Sequence, residues 1–256
     1  MILTDTHTHL YSEEFADDRN EMILRAIDQS VKRFFIPAID SGYTDAMYDL
    51  EKQFPENIFL MMGLHPTYVK PDTFEAELRH VETELAKRKF YAVGEIGIDL
   101  YWDKTTLDIQ KIAFKRQIQL AKKYQLPINI HCRDAFDEIF EVLETERSPE
   151  LFGIFHCFTG THEQALQAIS LGMKLGIGGV VTFKNGKIDQ FLHQIDLKHL
   201  VLETDAPYLA PVPFRGKRNE SGYVVNVAQK LSEIYQLPVT EIARLTTENS
   251  KQVFGI

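Results

Sequence analysis

The sequence has only two cysteines in 256 residues, Cys132 and Cys157, and no CxxC pair. This excludes a disulfide-stapled secreted scaffold and a thiolate zinc knuckle. No stretch approaches the ~20 apolar residues of a membrane span, and no basic-then-apolar leader precedes the first apolar run. The expected location is therefore cytoplasmic. Internal repeats, low-complexity tracts and Ser/Gly linkers are also missing, so residues 1–256 read as one domain. There is no basic excess: 37 acids against 28 bases give a net charge of −9. Such a surface does not grip nucleic acid over its whole extent, although a local basic or metal-bearing cleft is compatible with it. Nor does a glycine-rich phosphate turn follow the first strand, which argues against an open dinucleotide-binding sheet.

What the chain does have is alternation. Apolar residues make up 44%, and short β-rich runs alternate with helical patterns eight times. Strands are expected at residues 2–7, 33–39, 58–63, 90–95, 127–131, 152–156, 173–177 and 199–204. Near-continuous runs such as Phe34-Phe35-Ile36 are those of strands buried on both faces. Phe136, Ile139, Phe140 and Leu143 follow helical spacing, with Asp134 placed to cap them. Thr161-His162-Glu163-Gln164 reads as a capping box on a helix that stops at Gly172. Two more helices end the chain, one marked by Val224, Val227, Ala228 and Leu231, the other by Ile242, Leu245, Asn249 and Val253. The pattern predicts an α/β fold, a TIM-type (β/α)8 barrel with additional C-terminal helices.

In such a barrel the chemistry gathers where strands end. His7 and His9 share a face at the end of the first strand, because side chains alternate along it. Strand three ends in Gly63-Leu64-His65-Pro66, strand four carries Glu95, and strands five and six end in His131 and His156. Strand eight puts Val201, Glu203 and Asp205 on one face. Each has a bland reading alone: a hydrogen-bonded core histidine, a barrel carboxylate paired with arginine, a cap before Pro207. Recurrence at five strand exits predicts metal ligation, since buried carboxylates are costly unless paired or metal-bound. Four histidines and two carboxylates exceed what one tetrahedral zinc can use. They suit two divalent ions with Glu95 as the bridge, and zinc, manganese, nickel and magnesium are all compatible. His80, His162, His193 and His199 lie in helices or turns and read as solvated. Cys132 and Cys157 each follow a ligand candidate and read as small packers facing the helices.

With these residues in hand, the chain resembles the TatD family of metal-dependent deoxyribonucleases, within the amidohydrolase-like barrels, over essentially its whole length. The resemblance rests on Asp5-Thr6-His7-Thr8-His9, Gly63-Leu64-His65-Pro66, Gly94-Glu95-Ile96-Gly97-Ile98-Asp99, His131-Cys132-Arg133-Asp134-Ala135, His156-Cys157-Phe158-Thr159-Gly160 and Glu203-Thr204-Asp205-Ala206-Pro207-Tyr208. It implies His7, His9, Glu95, His131, His156 and Asp205 as metal ligands and His65 as a contact to substrate phosphate. It also implies a divalent-metal phosphodiesterase that degrades DNA, exonucleolytically in some members. Arg133 and the loop residues Arg215, Lys217 and Arg218 are candidates for substrate contacts. In that loop Phe214 and Ser221 depart from the histidine and proline common in the family. Asp205 is expected to accept a proton alongside the bridging Glu95, with Asp5 and Glu203 as supporting carboxylates. DNA is the expected partner, with little sequence specificity, because phosphate contacts position without specifying. Two other readings are a metal amidohydrolase acting on a cyclic amide and a non-catalytic metal-stabilised scaffold. The first commonly has a carbamylated lysine where this chain has Glu95.

Overall fold

Each of the eight apolar runs forms a strand in the computed structural model, which describes residues 1–256. They are β1 (Leu3–Asp5), β2 (Val31–Ile36), β3 (Ile58–Leu60), β4 (Val93–Asp99), β5 (Ile128–Arg133), β6 (Gly153–Phe155), β7 (Met173–Ile177) and β8 (Leu200–Leu202). Neighbours pair in parallel in the orders β1-β2-β3 and β4-β5-β6-β7-β8. A Met62–Val93 bridge joins the two sheets on one side. On the other, the Thr6 N–H donates to the Leu202 carbonyl at 3.0 Å and the Asp205 N–H to the His7 carbonyl at 3.0 Å. The sheet is therefore a closed barrel.

The pleat sorts the strand residues into two cores. Phe34 and Ile36 join the large cluster under the helices. Phe35, between them, joins a separate cluster with Met61, Ala92, Ile154 and Val201, which fills the lumen. The helices are α1 (Arg19–Asp28), α2 (Thr44–Gln53), α3 (Phe74–Lys87), α4 (Leu107–Tyr124), α5 (Phe136–Thr145), α6 (His162–Ser170), α7 (Val224–Tyr235) and α8 (Val239–Phe254). In α5 the periodic residues Ile139, Phe140 and Leu143 are the buried face, as their spacing requires. The last helix closes the lower end of the barrel. Its Asn249 amide donates to the carbonyls of Leu197 and Leu200, both at 2.7 Å, and Phe254 stacks on Phe35 with ring centroids 3.6 Å apart.

Some local expectations are corrected. The connection from β7 to β8 contains no α-helix, only four short 3-10 turns between Gly179 and His199. Glycines there permit close backbone packing: a Cβ on Gly179 would lie 2.0 Å from the Leu209 carbonyl oxygen. β4 begins later than the apolar run and extends to Asp99, so Glu95 sits within the strand. β1 stops at Asp5, so His7 and His9 lie just beyond it. Asp134 does not cap α5. It adopts φ 53°, and Ala135 takes the cap position without a side-chain bond. The capping box on α6 does form, with Thr161 and Gln164 bonded reciprocally at 3.2 and 2.8 Å.

Candidate metal centre

At the upper end of the barrel the polar residues converge on one carboxylate. Glu95 is 2% exposed, and its two oxygens face different partners. Oε2 lies 3.3 Å from His7 Nε2 and 3.5 Å from His9 Nε2. Oε1 lies 2.8 Å from His131 Nδ1 and 2.9 Å from His156 Nε2. Asp205 Oδ1 completes the first group, 3.7 Å from His7 Nε2 and 3.6 Å from His9 Nε2. Two groups of donors sharing one carboxylate is the arrangement that holds a pair of divalent ions.

The outer ring nitrogens determine which atoms are free to ligate. His7 Nδ1 is 2.7 Å from the Asn129 side-chain oxygen and therefore carries the proton. The Tyr11 hydroxyl donates to the Pro37 carbonyl, so at 2.9 Å it accepts from His9 Nδ1. Both inner nitrogens are then lone pairs, yet they face each other at 3.1 Å. Two lone pairs at that separation repel, and a cation between them removes the repulsion. The donor set thus fits a divalent metal on its own geometry. His131 follows the same logic, its Nε2 donating to Asp99 Oδ2 at 2.9 Å. His156 Nδ1 faces the Glu203 carboxylate at 3.7 Å.

His65 differs from these four. Its Nδ1 accepts the Thr67 backbone N–H at 3.1 Å, so in the neutral ring Nε2 carries the proton. Proximity alone groups His65 with Glu95 and His131 as donor atoms within 4.8 Å of one another. The tautomer makes it a hydrogen-bond donor instead, aimed at Glu95 Oε1 from 3.3 Å. Burial lowers its pKa to about 4, which keeps the ring neutral.

Charge is balanced within the cluster. Burial opposes ionisation of Glu95, but His156, His65 and His7 pull its pKa well below the usual range. Burial likewise opposes a charge on Asp205, and the surrounding histidines His9, His156 and His7 together pull its pKa below the usual range. Burial disfavours protonating His131 and His156, while their carboxylate partners raise both.

The supporting carboxylates sit behind the ligand candidates. Asp5 accepts the Thr204 N–H at 2.9 Å and its hydroxyl at 2.6 Å, and burial raises its pKa to about 7. Glu203 accepts the Cys157 backbone N–H, and its Oε2 has no protein partner. Glu203 fits only because position 176 is glycine: a Cβ there would lie 2.1 Å from Glu203 Oε2. Three residues that hold ligand candidates carry no role in the sequence reading: Asp99, Asn129 and Tyr11. Asn129 and Tyr11 each lie two residues from a ligand, and that alternation was the available signal.

The cluster opens into a cleft of ≈ 780 Å³, lined also by Trp102, Arg133, Tyr208 and both cysteines. Both cysteines are half-buried at this wall, and Cys132 also packs against the core beneath the helices, as expected for a small packer. Burial raises the Cys132 thiol to about 12 and the Cys157 thiol well above its usual value. Neither belongs to a donor group. Of the expected substrate contacts, His65 and Arg133 line the cleft, while Arg215, Lys217 and Arg218 do not. Arg218 is held by Asp18 at 2.7 and 2.8 Å, and Arg215 lies over the Phe183 ring at 3.6 Å. Phe214 stacks on Tyr223 with centroids 3.9 Å apart, and Ser221 is buried against Thr8.

The sequence pattern of the family described as TatD related DNase matches residues 4–255. An uncharacterized metal-dependent hydrolase of Bacillus subtilis, YabD, is 41% identical over the full length of both chains. The Escherichia coli protein YcfH, also described as an uncharacterized metal-dependent hydrolase, is 33% identical over all of this chain and 97% of its own. Among solved structures, the Escherichia coli TatD homologue YjjV is 30% identical and superposes with a TM-score of 0.92, covering 99% of this chain and 98% of that one. With the whole chain matched and the barrel shared, the protein belongs to the TatD family of metal-dependent hydrolases.

Proposed function

We propose that this hydrolase cleaves phosphodiester bonds in DNA, with two divalent ions held around Glu95. One observation carries the reading: a single buried carboxylate faces two sets of ligating nitrogens on the floor of an open cleft. His7, His9, Glu95 and Asp205 would hold one ion, and Glu95, His131 and His156 the other. Divalent ions in such a site supply Lewis acidity and lower the pKa of water. The chain's own groups do the rest. His65 donates its Nε2–H to a phosphoryl oxygen, where charge develops during in-line attack. Arg133 lines the same cleft and neutralises phosphate. Asp205, kept ionised, accepts the proton of the attacking water at a carboxylate oxygen. Arg215 and Lys217 lie outside the cleft lining and could reach only a longer strand. Free cysteines accord with a reducing, cytoplasmic setting, and no helix is long and apolar enough to cross a membrane.

The test is metal analysis together with cleavage of end-labelled single- and double-stranded DNA, with metal supplied and then chelated. Stepwise loss from one end would make the enzyme an exonuclease and give its polarity. Turnover of a cyclic amide with intact DNA would favour the amidohydrolase reading. Bound metal without turnover of any generic diester would favour a scaffold.

A further inference from the structure

We propose that Tyr101, Trp102 and Arg133 form a nucleobase subsite that takes an unpaired base next to the scissile phosphate. The proposal rests on the phosphodiesterase reading above and narrows its substrate to single-stranded or frayed DNA ends. Trp102, at 69%, is the most exposed of the large apolar side chains, and Tyr101 beside it is 54% exposed. Leaving both rings in water does nothing for the core. They are nevertheless not a loose turn. Asp99 Oδ1 accepts the backbone N–H groups of Tyr101 and Trp102 at 3.0 and 3.2 Å, while Oδ2 of the same carboxylate accepts from His131. One buried carboxylate therefore holds both a metal-ligand candidate and the backbone that carries the aromatic pair.

The chemistry of the patch is that of a base and its phosphate. The Arg133 guanidinium lies over the Tyr101 ring, 3.8 Å from the centroid, and 5.5 Å from the Trp102 centroid. The Tyr101 and Trp102 rings meet edge to face at 4.9 Å, which leaves the indole accessible from the cleft. An exposed indole face stacks on any base, and the guanidinium is placed for the adjoining phosphate. Nothing there reads base identity. Inside a duplex the base faces are already covered by their neighbours, so an unpaired nucleotide can wrap onto the platform where a paired one offers at most the outer face of an end pair.

Trp102 is the only tryptophan in the chain, so its fluorescence reports the subsite directly. The metal-loaded protein is mixed rapidly with a single-stranded oligothymidylate, an abasic strand of equal length, and a blunt-ended hairpin, and read before turnover. Saturable quenching by the oligothymidylate, much weaker with the other two, is expected. Equal quenching by the abasic strand, or none by any, would overturn the subsite. In kinetics, Trp102→Ala should raise KM for single-stranded DNA by about 5- to 150-fold, as loss of one stacked base implies. Trp102→Phe should recover most of it. The loss must exceed that on a base-free chromogenic diester by at least about fivefold; equal losses would mean that Trp102 only supports His131 through Asp99. Base-dependent quenching without cleavage of any diester would leave the subsite standing and refute the phosphodiesterase reading.

Discussion

Asp99→Asn probes whether ligand tautomers are set from behind. The change keeps volume and removes one acceptor. In the native chain Oδ2 takes the His131 Nε2 proton at 2.9 Å, and Oδ1 takes two backbone N–H groups at 3.0 and 3.2 Å. An amide has only one oxygen. If it faces the loop, its NH2 meets His131 Nε2, and the ring must move its proton to Nδ1. That proton would then occupy the lone pair 2.8 Å from Glu95, and His131 ceases to be a donor to metal. If the oxygen faces His131 instead, two backbone donors lose their acceptor, at about 1–3 kcal/mol for each left buried. The first arrangement costs less to the fold and more to the metal. Losing such an outer partner typically weakens metal binding 10- to 100-fold, or about 1.4–2.8 kcal/mol. Metal competition against a chelator of known affinity should become biphasic, with the His7, His9 and Asp205 position retained and the other weakened. Two ions bound within about threefold of native affinity would refute the assignment of His131 as a ligand held by Asp99.

Glu95→Ala should lose at least one ion per chain and slow diester hydrolysis about 100-fold or more while still unfolding cooperatively; full metal content would remove Glu95 from the bridge. Gly176→Ala should drive Glu203 off His156, because the new methyl overlaps a carboxylate oxygen, and cost about 1–3 kcal/mol. If calorimetry shows no fall in Tm, the carboxylate has room to move. Cys132→Ala and Cys157→Ala should each keep metal and substantial activity; loss of metal in both would make them thiolate ligands after all. Arg218, then Arg25, hold Asp18 down at about 2 from its ordinary 3.8. A depressed carboxylate stabilises the fold above the unfolded value and loses that contribution as pH falls through the folded one. The Tm difference between native protein and Asp18→Asn should therefore close between about pH 4 and pH 2. A difference that persists at pH 2 would mean that the Asp18 charge is not its source.

The barrel was legible because its strands are buried on both faces, and period-two alternation then places ligands at strand ends. The same alternation singles out the six ligand candidates as short motifs beside apolar runs, and the fold brings their side chains together around Glu95. What was not legible depends on partners remote in sequence. Nothing near Arg218 announces Asp18, 200 residues away, so its basic loop reads as free to grip substrate until the ion pair is seen. The tautomer of His65, expected only by resemblance to contact phosphate, is likewise unreadable until the Thr67 N–H is found on its Nδ1. The β7–β8 connection misled in another way. Its apolar residues suit a helix, but close approaches at Gly179 and Gly186 impose short turns.

The seam between β1 and β8 would give the two proposed ion positions different folding histories. Glu95, His131 and His156 come from consecutive strands, with sequence separations of 36 and 25. A growing half-barrel can assemble that position early. The other position needs His7 and His9 beside Asp205, and the adjoining Asp5–Thr204 contact spans 199 residues. Contacts of that separation form late, since the entropy of closing the intervening chain must be met first. A partly folded chain could thus capture one ion while remaining unable to place the second. Competence for the proposed two-ion chemistry would then arrive only with ring closure.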